Sequence, residues 1–402
     1  MLNGIEHGNV AFMILSTVLV FIMTPGLAFF YGGLVEKKNS LTIMLQVFLS
    51  IGIVTLMWIF GGFSFVFGND IGGVIGDPSQ YFAFNNLDFV INKHYGLTIP
   101  FLLFFMYQLM FAIITLPLMT GAIANRMRIR GWIVLLILWM LLVYFPVAHW
   151  IWGGGFLAKM GFVDFAGGTV IHISSGFSGL AAIAVLGSRA IKNEKGPFNL
   201  GLVSIGAALL LFGWFGFNAG GTLTAAETAA IVFANTGVAA ASGMIVWTIM
   251  YYIEERRFSF LEAIIGAVAG LATITPASGY VSPLSATLIG ALAGVFCFLC
   301  VKFAKRMKWD DALDVWGVHG MGGLLGTLLI GVFANKLING VSAGMDQFLV
   351  QCFGAIFVAI YSIIVTFIIM KVIDRGNFIR VSKEEQERGL DEVFLKEKYD
   401  LD

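Results

Sequence analysis

Apolar residues occupy this chain in long blocks separated by short polar breaks. Eleven blocks, near 9–35, 41–67, 97–123, 131–155, 165–188, 198–220, 228–253, 258–276, 283–304, 311–334 and 345–370, approach or exceed the length of about 20 residues that a helix needs to cross a hydrocarbon core of ~30 Å. The pattern predicts an all-α integral membrane protein with eleven transmembrane helices, in one membrane domain over residues 1–373. A polar tail, 374–402, follows it.

The breaks carry an asymmetric charge. Lys37 and Lys38 follow the first block, and Arg126, Arg128 and Arg130 the third. Arg189, Lys192 and Lys195 follow the fifth, Arg256 and Arg257 the seventh, and Lys302, Lys305, Arg306 and Lys308 the ninth. Seven more lie beyond the eleventh, so that only Lys93, Lys159 and Lys336 of the 24 basic residues fall on the other side. Basic loops stay cytoplasmic, which predicts an N-terminus outside, a C-terminus inside and a multi-pass protein of the cell membrane.

Composition agrees. Hydrophobic residues make up 58% and charged residues 12%, against about a quarter charged in a soluble globule. Lys plus Arg equals Asp plus Glu at 24 each, which offers no signal for nucleic acid or an acidic partner. The opening MLNGIEHGNV lacks the basic stretch of a signal peptide and reads as a polar stub. Cys297, Cys300 and Cys352 lie in apolar runs, where small packing residues are the better reading than a metal or redox pair. The 49 glycines fit helices that approach closely in lipid. The loop at 68–96 is the longest external segment, and nothing in it points to a role.

Two histidines change the picture. Asp164 precedes His172 by eight residues in DFAGGTVIHISSGFSG, and Asp311 precedes His319 by eight in DALDVWGVHGMGGLLG. Each histidine is followed by glycine at +4 and +7, namely Gly176 and Gly179, then Gly323 and Gly326. The fifth and tenth blocks run in opposite directions, so spans 1–5 and 6–10 read as an inverted repeat of the kind many transporters use. Eight residues at 1.5 Å each set each imidazole about 12 Å below its own face. The two rings are therefore expected to meet near the midplane. His7 and His94 fall in polar segments, and His149, beside Trp150 and Trp152, reads as a structural hydrogen-bonder.

An ionisable group inside the membrane is costly unless it is used. Paired imidazoles suit a metal, a proton relay or a polar guide for a small solute. No carboxylate or thiolate stands at ligand spacing, so no metal site and no cofactor is expected. A neutral imidazole donates at one nitrogen and accepts at the other, which suits a relay. An apolar surround penalises a bare cation; a weak acid such as ammonium escapes that penalty by shedding its proton at the entrance. No nucleophile accompanies the histidines, and an enzyme is not expected.

These residues resemble the ammonium transporters of the Amt/Mep/Rh family. The similarity covers nearly the whole chain: DFAGGTVIHISSG (164–176), WGVHGMGG (316–323), TPGLAFFYGGL (24–34), AHWIWGGG (148–155) and GWFGFNAGG (213–221) look like family blocks. The resemblance implies that His172 and His319 are twin pore histidines and that Phe111 and Phe217 form a stacked gate. It further implies that Trp152 flanks an external ammonium-recruitment site, with Asp164 as a structural acid of that vestibule. Trp152 favours the bacterial and archaeal Amt branch. Two departures stand out. Gly221 occupies the place of a serine whose hydroxyl helps recruit the cation, a loss worth about 1 kcal/mol or more, which Thr222 or a water could offset. Tyr107 stands where the upper aromatic is often Phe, and its hydroxyl is a second candidate for the lost contact. The tail RVSKEEQERGLDEVFLKEKYD (380–400) resembles the regulatory C-terminal region of bacterial and archaeal Amt proteins. By that resemblance Arg380, Glu385, Gly389, Leu390 and Asp391 belong to a segment that coordinates a homotrimer and takes part in block by a PII signalling protein. The implied function is transport: NH4+ is recruited, deprotonated, and passed as NH3 and a proton. An ammonium sensor with little flux and a passive channel for neutral gas remain as alternatives.

Overall fold

The computed structural model describes residues 4–87, 89–191, 196–375 and 379–399; Lys192 and Lys195, counted above among the loop cations, and Asp400 at the end of the tail motif lie outside these. Helices dominate. Ten are long and apolar enough to cross a membrane: α1 His7–Leu34, α2 Lys37–Phe67, α3 Phe101–Thr120, α4 Ile129–Lys159, α5 Gly168–Leu186, α6 Leu200–Thr222, α7 Glu227–Glu255, α9 Pro283–Arg306, α10 Trp316–Phe333 and α11 Met345–Ile373. Between α7 and α9 lies the shorter α8, Phe260–Ile274. Its 15 residues span about 22 Å at 1.5 Å each, less than a full crossing. Pro276, which lacks the N–H for the next helical bond, ends it. The wholly buried stretch 275–281 completes the path. This is a multi-pass membrane protein.

Contacts between helix ends sort the molecule into two faces. On one, the N–H of Asn199 donates to the carbonyl of Gly33 (3.2 Å) and that of Arg128 to Ile379 (2.8 Å). On the other, Glu6 donates to Thr98 (2.9 Å) and Asn335 to Tyr280 (2.8 Å). Successive helices alternate between these faces, which leaves the first residues and the tail on opposite sides. They are called here the N-terminal face and the tail face. Near the N-terminal face a small hairpin, β1 Asp70–Ile71 with β2 Ile75–Gly76, interrupts the loop after α2.

Close backbone approach holds the centre. A Cβ added at Gly320 on α10 would stand 3.3 Å from the Cα of Gly176 on α5, so the two helices cross with almost no side chain between them. Thr169 and Thr327 share a hydroxyl–hydroxyl bond (3.0 Å) beside the crossing.

The starts of α5 and α10 correct the expectation that each histidine lies eight residues into its helix. The helix of His172 begins at Gly168 with a π-helical turn, and that of His319 begins at Trp316 with another. The residues between each aspartate and its helix form a turn, with Gly167 at φ 109°. Depth is therefore set by where these turns enter the protein, not by rise along a straight helix.

The tail folds back on the tail face. A short helix, α12 Lys383–Arg388, starts in a capping box in which Ser382 and Glu385 satisfy each other's backbone N–H groups.

Candidate functional site

The turns that start α5 and α10 exist because carboxylates collect their free N–H groups. Asp164, only 4% exposed, accepts four backbone bonds: Gly167 (2.9 Å) and Gly168 (2.8 Å) on Oδ1, Thr169 (2.7 Å) and Val170 (3.0 Å) on Oδ2. Helix N-termini leave such donors unpaired, and an acid there also meets the positive end of the helix dipole. Asp311 does the same more sparingly, with Oδ2 accepting from Trp316 (2.7 Å). Neither carboxylate points its charge at open space.

Each turn delivers one imidazole to the centre. The His172 and His319 rings lie 5.1 Å apart at 25°, and their Nδ1 atoms face each other at 3.3 Å. A bond there needs one Nδ1 protonated and the other bare. With both rings neutral, one then presents Nε2–H and the other an Nε2 lone pair. Nε2 of His172 is buried without a protein partner. Trp214 stacks on His172 at 5.6 Å and 29°, and is itself pinned by donating Nε1–H to the Thr275 hydroxyl (2.9 Å). Apolar side chains including Leu27, Ile114 and Val268 line a cavity of about 20 Å³ beside the two rings, space for a water or two.

Toward the N-terminal face, Phe111 and Phe217 close over the pair with centroids 4.4 Å apart at 39°. Above them opens a vestibule of about 270 Å³ lined by Tyr107, Gln108, Phe111, Trp152, Phe165 and Gly221, among others. Trp152 meets Phe111 edge-on at 6.0 Å and donates Nε1–H to the carbonyl of Asp164 (2.8 Å), which fixes its indole. Toward the tail face, His319 borders a second cavity of about 270 Å³ that also reaches Tyr31, Arg189 and Asp314.

Both hydroxyls offered in place of the missing serine already donate to backbone carbonyls. Tyr107 is buried and donates to the carbonyl of Phe217 (2.9 Å), with Gly216 at 3.3 Å. Thr222 is held between the carbonyls of Ala219 (2.8 Å) and Thr224 (2.7 Å). The reason is local: both sit where α6 ends and its last carbonyls need donors. At Gly221 an added Cβ would lie 3.1 Å from Cε1 of Phe165, so that ring fills the place beside the glycine.

His149 has an acceptor at each ring nitrogen, the carbonyl of Val66 (2.7 Å) and the carboxylate of Asp70 (2.9 Å). Lys159 joins the same carboxylate. The Lys159 ammonium, then His149, hold Asp70 down at about 2.

The tail residues dock on the helix ends of the same chain. Arg380 binds Asp374 (2.8 Å) and the carbonyl of Val185 (2.6 Å). Glu385 binds Arg128 (2.7 Å). Gly389 adopts φ 100° against Lys38. Leu390 donates its N–H to Asn39 (2.9 Å). Asp391 accepts from the first N–H groups of the helical part of α2, Leu41 (3.0 Å) and Thr42 (2.7 Å), although burial pushes its carboxyl above the ordinary value.

Sequence reasoning gave no site role to Trp214, Arg128, Asn39 or Gln108. Arg128 and Asn39 had no local signal, because their partners are more than 250 residues away. Among the described residues no group of three or more His, Cys, Asp or Glu side chains is arranged to hold a metal ion.

Comparison with known proteins bears on this arrangement. The model of the Ammonium Transporter Family matches residues 11–399. The ammonium transporter Amt1 of Archaeoglobus fulgidus is 44% identical over 394 residues, covering 96% of this chain and 97% of its own. An ammonium transporter of Bacillus subtilis is 41% identical, covering 98% of each. Among solved structures, Mep2 of Saccharomyces cerevisiae superimposes with a TM-score of 0.88 at 31% identity, over 95% of this chain and 89% of that one. A structure described as a sensor Amt protein does so with 0.89 at 31%, over 96% and 98%.

Proposed function

We propose that this chain, which belongs to the ammonium transporter family, moves ammonium inward by separating it into ammonia and a proton. The N-terminal face lies outside, as the basic loops require. NH4+ enters the vestibule and rests against the face of Trp152, where cation–π attraction is worth up to about 2 kcal/mol once water is displaced. It does not pass the Phe111–Phe217 pair as a cation. Moving a small ion from water into a dry, low-dielectric passage has an idealised cost of order 20 kcal/mol, far beyond what two aromatic rings return. Ammonia carries no such penalty. It passes the gate and the twin imidazoles, and the proton crosses separately along His172 and His319 or a water chain.

The observation that carries this reading is the Nδ1–Nδ1 approach of 3.3 Å between the two histidines. It gives a narrow apolar passage one internal hydrogen bond and leaves outward-facing nitrogens that give or take a proton without moving the backbone. Asp164 serves as the cap that holds α5 open at this depth. The subunits assemble as a homotrimer with one pore each. The segment 374–402 is a regulatory unit, docked through Arg380, Glu385, Gly389, Leu390 and Asp391, and its cytoplasmic position offers a PII-type signalling protein a route to the pore.

The test is current evoked by ammonium, then by potassium, across proteoliposomes. The wild type should carry ammonium current and reject potassium, and His172→Ala or His319→Ala should lose selective, charge-coupled transport while the oligomer survives. Unchanged current and selectivity in either variant would overturn the histidine roles. A second reading, an ammonium sensor with little flux, has a specific support in the likeness to a structure described as a sensor Amt protein. Absent current with retained ammonium binding would favour it.

A further inference from the structure

The vestibule poses a chemical problem. Ammonium presents four N–H donors, and aromatic faces attract its charge without offering a lone pair. A site built for it needs an acceptor, and the obvious ones are spent. Both oxygens of Asp164 are taken by four backbone N–H groups. The Tyr107 hydroxyl is buried against the end of α6, where it donates to the carbonyl of Phe217, Thr222 stands outside the lining of the vestibule, the Trp152 nitrogen is a donor already in use, and position 221 is a glycine under the Phe165 ring.

Two polar side chains on this wall, Tyr95 and Gln108, show no side-chain hydrogen bond among the described residues, and of the two Gln108 shares the helix face of Phe111 at the gate. Gln108 lines the vestibule with Phe111 and Trp152 and is half-buried. Among the described residues its carboxamide has no hydrogen-bond partner, although it sits in a membrane helix where polar groups are expensive to leave unpaired. It lies on α3 one turn before Phe111 and one after Phe104, both of which line the same cavity, as the i, i+3 and i+4 spacing of a helix face dictates. That places it on the N-terminal side of the gate, level with neither ring. The amide oxygen is a neutral acceptor with two lone pairs, suited to bind a cation and release it.

We infer that Gln108 is the hydrogen-bonding ligand of the ammonium site, taking over the task that a hydroxyl at position 221 would perform. The inference rests on the transport reading for the identity of the cation. It makes Gln108 a specificity residue: it favours an ion that keeps an N–H for the amide oxygen while its other side faces the indole. Methylammonium, with three N–H groups, keeps that bond. Tetramethylammonium has none to give.

The experiment compares wild type, Gln108→Leu and Gln108→Glu in proteoliposomes, reading half-saturating ammonium concentration and maximal current separately. Calorimetric titration with ammonium chloride runs in parallel. Gln108→Leu keeps size and removes the acceptor, and should raise half-saturation about tenfold with maximal current unchanged. Gln108→Glu supplies a charged acceptor and should return half-saturation to the wild-type value or below. Half-saturation within twofold of wild type in Gln108→Leu would overturn the assignment. So would an equal increase in both variants, which marks a packing residue. Should the wild type bind ammonium but pass no current, the transport reading fails while the calorimetric shift in Gln108→Leu still decides the fate of Gln108.

Discussion

Asp164→Asn is the sharpest probe of how the two histidines are held. In the wild type each carboxylate oxygen accepts two N–H groups, Gly167 and Gly168 on one, Thr169 and Val170 on the other. Asparagine keeps one oxygen and turns an NH2 toward the other two donors. Two charge-assisted bonds disappear, each worth ~1.5–3 kcal/mol, for a loss of ~3–6 kcal/mol. Water cannot make it good, because the site is 4% exposed. Taking ~2.1 cal/mol/K per residue as the unfolding entropy, the 402 residues give ~0.8 kcal/mol/K and a fall in Tm of ~4–7 °C. A helical bundle in detergent keeps much of its helix on unfolding, so its entropy is smaller and the fall larger. The assay is thermal unfolding of the purified protein, followed by tryptophan fluorescence and by retention of the oligomer. Asp164→Ala, which loses all four bonds, should fall further. Transport should fail in both because His172 sits on the turn that the carboxylate organises. A Tm for Asp164→Asn within 1 °C of wild type would refute the argument that this acid acts as a cap.

Asp391→Ala removes the acceptor of the Leu41 and Thr42 N–H groups; an N-cap of this type is worth ~1–2 kcal/mol. The tail should then be undocked ~5–30 times more often, and trypsin cleavage after Lys383 and Arg388 should quicken by that factor; an unchanged rate would show that the tail is held elsewhere. Acid should act on the hairpin through Asp70, whose carboxyl is held at about 2 by Lys159 and His149. A folded value below the unfolded value of ~3.9 means that the anchorage is complete above pH ~4 and is lost as pH falls toward 2. The group is partly solvated, so the effect is at most about 1 kcal/mol. Hydrogen exchange at 70–76 should be flat from pH 7 to 4 once corrected for the intrinsic rate, then accelerate, and Asp70→Asn should abolish that step.

The helices were legible because a membrane span carries its own instruction. Backbone groups in lipid must pair within the segment, so a long apolar block becomes a helix whatever its neighbours are. Local chemistry moved the ends. The third helix starts at Phe101 rather than 97 because Pro100 precedes it as the N-cap. The eighth, expected over 258–276, stops at Ile274, two residues short of Pro276. The fifth and tenth start later than their apolar blocks because Asp164 and Asp311 draw the chain into turns first. The meeting of His172 and His319 was foreseeable for another reason. A motif written twice at the same spacing in helices of opposite direction specifies two positions related by symmetry, and symmetry brings equivalent depths together.

What could not be read was which polar atoms remain available. Tyr107 and Thr222 looked like candidate ligands because a sequence displays every hydroxyl as though it were free. At the end of α6 several carbonyls lack a helical donor, and these two hydroxyls supply it. Gln108 escaped attention for the converse reason, since a lone glutamine in an apolar run reads as a packing residue bonded to a neighbouring helix. Only the full set of partners distinguishes the two cases. The same accounting explains why Asp164 is no ligand although it is the nearest acid in sequence to His172: its capacity is consumed by its own helix. On the proposed reading, a vestibule without an unspent carboxylate would hold ammonium weakly, through π faces and a neutral amide. Weak holding is what a pore requires, because an ion bound by a full counter-charge would pay that attraction back before it could shed its proton and leave.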